Sequence, residues 1–519
     1  MTTQPLQSPY YITTAIAYVN AKPHLGYALE LILTDAVARY HRLNGRNVRF
    51  LTGTDENSLK NVRAALQEDV PTDVLVQRNA DQYQALKETL SLSFDDFIRT
   101  SSDSRHQPGV EKLWRACVAQ GDIYTRPYRG LYCVGCEQFY NETELVDGLC
   151  PEHQTPPELV EETNYFFRLS RYADQLEALI ASDTLQIVPD TRKKEVLTFI
   201  RSGLQDFSIS RSRARAHGWG IPVPDDPEQV IYVWFDALSN YITALDYAVE
   251  GDCYQTYWHN NPQRIHVIGK GITRFHAIYW PAMLLSAGVP LPTTLFVHGY
   301  ITLNGGKISK SLGNTVDPVE LVEAYGLDAV RYYLLREIKA TEDGDFTCER
   351  FIQTYNTDLA NQLGNLLSRF IGMVNRYYEG RVPTPSGYDE TDQALIAVAD
   401  ALPQKIEVAI ARFAVHEALT AIWDLIAAAN KYVVTVQPWH LAKQRFEDEK
   451  SEARLGTSLY NLAEILRLVA YHCSPFLPTT AAAINDQLNI VLGEAGTIWG
   501  GYPAETVVQA NSVLFPKIE

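Results

Sequence analysis

Residues 10–55 read YYITTAIAYVNAKPHLGYALELILTDAVARYHRLNGRNVRFLTGTD, and this stretch indicates the fold. Its first part, Tyr10–Asn20, is rich in Ile, Thr, Tyr and Val, which is typical of a buried strand. A helical pattern follows and ends at Asn44-Gly45, and a second strand comes after it. Strand, helix and strand in this order predict a βαβ unit and therefore an α/β fold with a parallel sheet. Ligands bind at the carboxyl ends of such strands, where His24 and Asp55 lie.

The α/β pattern is interrupted between about residues 120 and 225, and after about residue 350 nearly all of the chain has a helical pattern. We therefore predict an insertion within one α/β domain, followed by a helical bundle. The strand-like runs on either side of the interruption are Val48–Leu51, Val230–Phe235, Ile265–Ile268 and Leu295–Tyr300. The predicted segments are 1–118 and 226–300 for the two halves of the α/β domain, 119–225 for the insertion, 301–352 for a linking segment, and 353–519 for the helical domain and tail.

The composition excludes several classes of protein. The chain has 519 residues with 45 basic and 62 acidic side chains, a net charge of −17, and no dominant charge run, so a disordered or collagen-like chain is excluded. The N-terminus lacks the basic start and apolar core of a signal peptide, and no stretch approaches 18 uncharged apolar residues. We therefore expect a cytoplasmic protein with no membrane partner. The acidic balance does not exclude a nucleic-acid partner, because local patches determine the contacts.

Three of the seven cysteines form a cluster with one histidine. The spacing is Cys133-x2-Cys136-x13-Cys150-x2-His153, in which two close pairs are joined by a loop. Such pairs allow four ligands to converge tetrahedrally, which suits zinc, and a site filled by four protein ligands indicates a structural role. The alternative is a set of unrelated buried thiols and an exposed histidine.

Two polar segments have the chemistry of a phosphate site. Gly305-Gly306 is followed by Lys307, Ser309 and Lys310, so that lysines and hydroxyls can surround a polyphosphate. His24, at the start of the predicted helix, can contact a phosphate near the helix N-terminus. Taken alone, each has a simpler interpretation, namely a solvated loop and a helix cap.

These segments together resemble the methionyl-tRNA synthetases, a family of class I aminoacyl-tRNA synthetases. HLGY at 24–27 and KISKS at 307–311 are similar to the two ATP signatures of the class. TGTDE at 52–56, YVWFDAL at 232–238, HVIGKGI at 266–272 and the cysteine cluster narrow the resemblance to this family. The similarity runs from Tyr11 to the closing LFPKIE at 514–519, in family order and spacing.

The resemblance implies a Rossmann-type catalytic domain split by a zinc-bearing connective insertion, a stem-contact segment and an α-helical bundle that reads the anticodon. It also implies the reaction: methionine attacks the α-phosphate of ATP, with Mg²⁺, and the acyl group then passes to the 3′ end of tRNA(Met). His24, Lys307 and Lys310 are expected to be catalytic, through positioning and charge stabilisation. The expected ATP-binding residues are His24, Gly26, Tyr27, Gly269, Gly271, Lys307, Ser309 and Lys310.

By the same resemblance, Asp55 holds the methionine ammonium, and aromatic walls suit the thioether. The expected side-chain pocket consists of Ile16, Tyr18, Trp234, Ala237, Tyr241, Ile272 and His276. Without the family, core packing is the default interpretation of Trp234 and Tyr241. Asn365 and Arg369, four apart on one helical face, and Trp439 match the residues that read the CAU anticodon, by hydrogen bonding and stacking. The basic stretch Arg211–Arg215 is either a contact to the tRNA acceptor end or a solvated face.

Most positions at which this sequence differs from the family pattern lie in the motifs that are expected to bind the nucleotide. Tyr27 replaces the second histidine of the first signature, Asn57 and Ser58 replace a His-Gly pair, and Gly271 replaces an aspartate expected at the ribose. Ala17 replaces a frequent proline, and Leu238 stands where some relatives have one.

Three interpretations follow. The first is an active methionine–tRNA ligase whose Tyr27 hydroxyl replaces the imidazole. The second is a paralogue that binds methionine or tRNA with lost or redirected adenylation, for example an amide-forming enzyme. The third is a tRNA-binding scaffold without chemistry. The intact lysine loop favours the ligase. Because nothing near Glu519 resembles the dimer-forming domain of many relatives, we also expect a monomer.

Overall fold

The computed structural model describes residues 8–140, 142–152, 154–307, 316–491, 493, 496–509 and 512–519. The chain divides into two compact units. The first comprises residues up to 34, 44–88 and 92–298, and the second comprises 35–43, 89–91 and 299–519. Each unit has its own secondary structure and buried interior.

The first unit is built around a parallel sheet. Its strands are β1 (Pro9–Thr14), β2 (Ala17–Tyr18), β3 (Asn47–Asp55), β4 (Asp96–Arg99), β5 (Ile123–Cys133), β6 (Gln138–Tyr140), β7 (Glu158–Phe167), β8 (Gln186–Val188), β9 (Phe207–Ser208), β10 (Ser210–Ser212), β11 (Pro222–Val223), β12 (Asp226–Ile231), β13 (Arg264–Gly269) and β14 (Thr294–His298). The helices that begin in this unit are α1 (Leu25–Leu43), α2 (Leu59–Gln67), α3 (Thr72–Thr89), α4 (His106–Ala119), α5 (Ala173–Ala181), α6 (Asp190–Arg201), α7 (Val233–Leu238), α8 (Asn240–Thr243), α9 (Asp252–Tyr254) and α10 (Trp280–Ala287).

Within the described residues the large sheet has seven strands in the order β2-β3-β1-β13-β14-β8, with β4 paired to β3. All of these pairings are parallel, and β1 lies between β3 and β13. After its first residue β1 is continuously buried, as expected for a central parallel strand that is covered on both faces. The predicted parallel α/β fold is confirmed, and the carboxyl ends of the strands meet at one edge of the sheet.

The predicted insertion contains an antiparallel sheet of its own. Four strands pair in the order β6-β5-β7-β9 among the residues that the structure describes. The prediction of a strand over Val230–Phe235 is wrong in its second half, because β12 ends at Ile231 and α7 begins at Val233. A short run of buried apolar residues does not distinguish a strand from a buried helix, and here the helix is the outcome.

The second unit is largely helical, which confirms the predicted bundle. Its short strands are β15 (Ile301–Leu303), β16 (Gly306–Lys307) and β17 (Gly344–Phe346), and its helices are α11 (Pro318–Tyr325), α12 (Leu327–Arg336), α13 (Cys348–Thr354), α14 (Asn365–Tyr378), α15 (Glu390–Asp400), α16 (Leu402–Ala411), α17 (Val415–Val436), α18 (Pro438–Gln444), α19 (Glu449–Cys473) and α20 (Pro478–Leu488). A π-helical stretch, Tyr355–Gly364, joins α13 to α14.

One helical segment in the described part of the chain, Val415–Gln444, is long and apolar enough to cross a membrane by length and composition. Half of its most apolar window is buried inside the protein, and the core helix of a bundle meets the same criteria. The expectation that the chain has no membrane partner therefore stays a prediction.

Candidate active site

The carboxyl edge of the sheet brings together the residues predicted to bind methionine. Tyr18 of β2 and Asp55 of β3 are paired directly in the register of the two strands. Trp234, on α7, stacks on Phe275 with a centroid distance of 3.7 Å and meets the Tyr18 ring edge-on at 6.5 Å. The side chains predicted for the pocket that pack in the same apolar cluster are Ile16, Tyr18, Trp234, Tyr241 and Ile272. Ala237 is buried on the helix that carries Trp234.

His276 is fixed by two hydrogen bonds that determine its tautomer. Its Nδ1 lies 2.9 Å from the carbonyl oxygen of Ile272, so Nδ1 donates. Its Nε2, 2.7 Å from the Tyr241 hydroxyl, therefore accepts from that hydroxyl. Burial lowers the pKa of His276 to about 4, which keeps the ring neutral at physiological pH. The residue lies in a π-helical turn, Phe275–Tyr279, a local geometry that is frequent at functional sites.

A second histidine, which the sequence analysis did not assign, supports this wall. The His266 ring stacks on Tyr241 at a centroid distance of 3.9 Å. Trp280 donates to its Nε2 at 3.3 Å, so its Nδ1 donates to the Thr13 hydroxyl 2.8 Å away. Burial lowers its pKa well below the usual value. His266 is the first residue of the motif HVIGKGI, and this position was the sequence signal that could have identified it. Its ring supports Tyr241.

Asp55 has the properties of a receptor for a positive charge. The residue is 2% exposed, and its Oδ1 is buried with no hydrogen-bond partner in the described part of the chain. Burial raises the pKa of Asp55 well above its usual value, and the negative charges of Asp236 and Glu137 add to the effect. A buried carboxylate oxygen without a donor is costly unless a ligand supplies one. An ammonium group supplies both a donor and a charge.

Asn57 and Ser58, which replace the His-Gly pair of the family, make polar contacts with buried groups. Asn57 Nδ2 donates to Asp236 Oδ2 at 2.8 Å, and the other oxygen of Asp236 lies 2.5 Å from His106 Nε2. Ser58 is the N-cap of α2 and accepts from the backbone N–H of Lys60 at 3.0 Å. These polar contacts explain why Asn and Ser fit at the two positions. Sequence reasoning did not identify the buried His106–Asp236 pair.

At the predicted nucleotide signature, His24 precedes α1. Its Nδ1 accepts from the backbone N–H of Gly26 at 3.1 Å, so the imidazole leans over that residue. A Cβ at Gly26 would come within 3.0 Å of the ring, which explains the glycine. The Tyr27 hydroxyl lies 3.2 Å from the Thr52 hydroxyl and 3.5 Å from the carbonyl of Gly53, and its ring packs on Tyr83. The Tyr27 hydroxyl is thus bonded to β3, and its replacement of an imidazole at ATP stays a prediction.

The remaining predicted ATP residues lie in two places. Gly269 ends β13, and Gly271, which is exposed, lies in the 3₁₀ turn Lys270–Ile272 that follows it. Lys307 lies in β16, where its backbone pairs with Thr302 of β15. Ser309 and Lys310 lie outside the described residues.

The cysteine cluster is assembled. The sulfur atoms of Cys133, Cys136 and Cys150 all lie within 4.8 Å of one another, and Cys136 and Cys150 are 3.6 Å apart. Zn–S bonds of about 2.3 Å in a tetrahedron place sulfurs about 3.8 Å apart, so the three thiols fit a soft or borderline cation. His153, the predicted fourth ligand, lies outside the described residues.

The predicted anticodon residues lie in the second unit. Asn365 begins α14 and is exposed, and Arg369, one turn later, is half-buried. Trp439 is half-buried in α18. The direct continuation of the π-helical stretch into Asn365 is a feature that the sequence did not predict.

The suggestion that Arg211–Arg215 forms one solvated or RNA-contacting face is wrong for Arg211. That side chain is 6% exposed, lies over the rings of Tyr132 and Tyr232, and donates to the Tyr132 hydroxyl at 3.0 Å. Arg215 pairs with Glu162 at 2.8 Å. Both arginines therefore make contacts inside the first unit, because aromatic faces and a carboxylate there compensate their burial.

Comparison with known proteins places these features in a family. Residues 10–156 and 152–371 match the model described as tRNA synthetases class I (M), and residues 382–519 match the anticodon binding domain of methionyl tRNA ligase. The methionine–tRNA ligase of Caldanaerobacter subterraneus subsp. tengcongensis is 46% identical over 99% of this chain and 80% of its own length. The chain belongs to the methionyl-tRNA synthetase family.

Solved structures of the methionyl-tRNA synthetase family agree closely with the fold. The Mycobacterium tuberculosis enzyme in complex with methionyl-adenylate is 45% identical, with a TM-score of 0.94 over 98% of this chain and 100% of that one. Its apo form gives a TM-score of 0.88 over 99% of each chain. The curated M. tuberculosis (H37Rv) sequence is 47% identical over 92% of each chain. The family's class I architecture therefore extends over nearly the whole chain.

Proposed function

We propose that this chain is a methionine–tRNA ligase, which activates methionine with ATP and transfers it to tRNA(Met). The observation that carries the proposal is Asp55, a buried carboxylate with one oxygen free of partners in the described structure, paired with Tyr18 beside the aromatic wall of Trp234 and Tyr241. Charge attracts the ammonium group, and the ring edges suit the sulfur. The family membership supplies the reaction.

In the first step a carboxylate oxygen of methionine attacks the α-phosphorus of ATP, and pyrophosphate leaves with the electrons of the broken P–O bond. Asp55 holds the ammonium, and neutral His276 fixes the Tyr241 hydroxyl in the pocket wall. His24 at the start of α1, together with Lys307 and Lys310, stabilises the phosphate charges, with Mg²⁺ accompanying ATP. Ser309, Gly26, Tyr27, Gly269 and Gly271 complete the proposed ATP site, in which the Tyr27 hydroxyl is bonded to β3.

In the second step a ribose hydroxyl at the tRNA 3′ end attacks the methionyl carbonyl, and AMP leaves. Asn365, Arg369 and Trp439 are proposed to read the anticodon bases. No protein nucleophile is required. Pro438, which precedes Trp439, begins α18 and fixes the approach of the chain to that helix.

The cysteine cluster is proposed to hold a structural Zn²⁺, with Cys133, Cys136 and Cys150 as thiolate ligands and His153 as the fourth. Bound zinc would hold the loops of the insertion together. The proposal also includes the segment boundaries given above. It further includes a monomeric state and a cytoplasmic location.

The test is methionine-dependent exchange of pyrophosphate into ATP by the purified full chain. Exchange that needs methionine and Mg²⁺ supports adenylation by the site. A folded protein that binds methionine but catalyses no exchange would instead favour the paralogue with lost or redirected adenylation. Absence of both methionine binding and exchange, with tRNA still bound, would favour the scaffold.

A further inference from the structure

Glu137 joins the cysteine cluster to the interior of the first unit. It directly follows Cys136, and its backbone has a φ of 52°, a left-handed conformation that turns the chain sharply. The residue is fully buried. The hydroxyl of Tyr232, the residue before α7, donates a hydrogen bond to its carbonyl oxygen. The helix that carries Trp234 is therefore tied to the chain immediately after the cluster.

The carboxylate of Glu137 binds the start of another helix. Its Oε1 accepts from the Ser58 hydroxyl at 2.8 Å and from the backbone N–H of Leu59, the first residue of α2, at 3.0 Å. A carboxylate at a helix N-terminus satisfies a free N–H group and is favoured by the helix dipole. Glu137 thus fixes the segment that follows Asp55.

The second carboxylate oxygen of Glu137 accepts no hydrogen bond from the described residues. Its Oε2 is buried without a hydrogen-bond partner among the described residues, and the same holds for the Tyr18 hydroxyl and for Asp55 Oδ1. Burial raises the pKa of Tyr18 well above its usual value, and the negative charges of Glu137 and Asp55 add to the effect, as expected for carboxylates on the same side of the pocket. Two buried carboxylate oxygens without a donor, and a hydroxyl that also has no partner among the described residues, indicate a site that is completed by a ligand with several donors.

The charges around these groups favour a cationic ligand. Asp55, Asp236 and Glu137 supply negative charge on this side of the pocket. Two described cations lie near these groups: the Lys60 ammonium lies 4.1 Å over the Tyr18 ring, and the buried Arg211 guanidinium interacts with the Glu137 charge. An α-ammonium group, with three donors and a positive charge, has the chemistry that this arrangement lacks.

We propose that Glu137 is a positioning residue for the amino acid, which connects the cysteine cluster to methionine binding by holding the start of α2 and the residue before α7 in place. The proposal rests on the proposed function for the identity of the amino acid. Its role is to orient the residues that contact the ammonium, and the phosphate chemistry is independent of it. A change at Glu137 should therefore alter methionine affinity and leave ATP affinity unchanged.

The test compares Glu137→Gln with Glu158→Gln, an exposed residue of the same insertion that pairs with Arg63. L-methionine is titrated against tryptophan fluorescence without ATP, and KM values for methionine and ATP are measured by pyrophosphate exchange. Because one charge-assisted hydrogen bond is altered, we expect the methionine Kd of Glu137→Gln to rise about tenfold. We expect KM for ATP and the zinc content to stay unchanged, and the control variant to behave as the parent.

An unchanged methionine Kd in a folded Glu137→Gln variant, or an equal rise in KM for ATP, would overturn the proposal. If that variant does not fold, Tyr232→Phe removes only the hydroxyl bonded to Glu137, and we expect a smaller rise in methionine Kd in the same direction. An unchanged Kd there would also overturn it. Methionine binding is measured without ATP, so this test does not depend on adenylation. A parent protein that binds methionine but catalyses no pyrophosphate exchange would disprove ligase activity, and the role of Glu137 in methionine binding could still be tested.

Discussion

Asn57 donates a 2.8 Å hydrogen bond from its side-chain amide to Asp236, a fully buried carboxylate at the start of the methionine wall. The other Asp236 oxygen lies 2.5 Å from His106, whose Nδ1 in turn lies 2.8 Å from the Thr243 hydroxyl. A residue that departs from the family pattern is therefore part of a satisfied polar network. The departure is a structural accommodation and does not require loss of the site.

We predict that Asn57→Ala lowers stability. Loss of the amide leaves a buried carboxylate oxygen without its donor, which costs about 1–3 kcal/mol in the free energy of unfolding. Urea unfolding followed by circular dichroism measures the change. Asn260→Ala, which removes an exposed amide, is the control. Equal midpoints for the two variants would show that the network contributes nothing.

We predict that Tyr27→Phe retains adenylation. The hydroxyl binds Thr52 and Gly53 on β3, so its loss should cost about 1 kcal/mol of stability. The exchange rate should remain within about threefold, because a group that makes no transition-state contact contributes little to kcat. Pyrophosphate exchange at saturating substrates measures this. A loss of about 100-fold would instead assign the hydroxyl to the phosphate site.

The parallel sheet, the bundle and the grouping of the cysteines were predictable, because each depends on local pattern or on close spacing. The helix α7 was not predictable, because the six buried apolar residues Val230–Phe235 fit either a strand or a helix. In the folded chain this segment packs against Phe275 as a helix. Arg211 was misassigned for a related reason. A basic run looks solvated until the aromatic rings of Tyr132 and Tyr232 are placed beside it.

We predict that Asp55→Asn raises the methionine Kd by about 10- to 100-fold, because it removes the charge that binds the ammonium. The parent protein should also bind methionine more tightly as the pH rises. The reason is that the raised pKa of Asp55, caused by burial and by Asp236 and Glu137 and opposed by Lys60, leaves the free carboxyl partly protonated at low pH. Fluorescence titration at several pH values measures both effects. A pH dependence that persists in Asp55→Asn would contradict the assignment.

We predict a loss of stability in acid that involves His276. Its pKa is lowered to about 4 in the folded protein from 6.5, so the unfolded chain binds more protons between these values, and stability falls as pH drops through that window. The shift corresponds to about 3 kcal/mol, and His266 acts in the same direction. Urea midpoints at pH 7 and pH 5 measure this. His276→Gln should show a smaller decline, and an equal decline would contradict the prediction.

We predict that Trp439→Ala raises KM for tRNA(Met) about tenfold or more and leaves pyrophosphate exchange unchanged. Stacking of one base on an aromatic ring contributes about 1–3 kcal/mol, and adenylation does not require the anticodon. Val408→Ala, at an exposed apolar position on α16, is the control. Equal loss of exchange and charging in Trp439→Ala would indicate a folding defect and contradict the assigned role.

The candidate site was predictable only in part. The prediction of one strand over Tyr10–Asn20 is wrong, because β1 ends at Thr14 and the separate strand β2 brings Tyr18 opposite Asp55 on the other side of β3. The supporting groups His106 and Glu137 were not predictable, because each acts through a contact more than 75 residues away in sequence. A buried polar residue has no periodic signal, so only the folded chain identifies its partner.

The most direct test of ligase activity is the transfer of radiolabelled methionine to a tRNA(Met) transcript by the full chain with ATP and Mg²⁺. The transcript with its CAU anticodon is compared with one in which those three bases are changed. We predict acid-precipitable methionyl-tRNA with the first transcript and a rate lower by about 100-fold or more with the second. A folded protein that binds methionine and the CAU transcript but forms no ester would contradict the account.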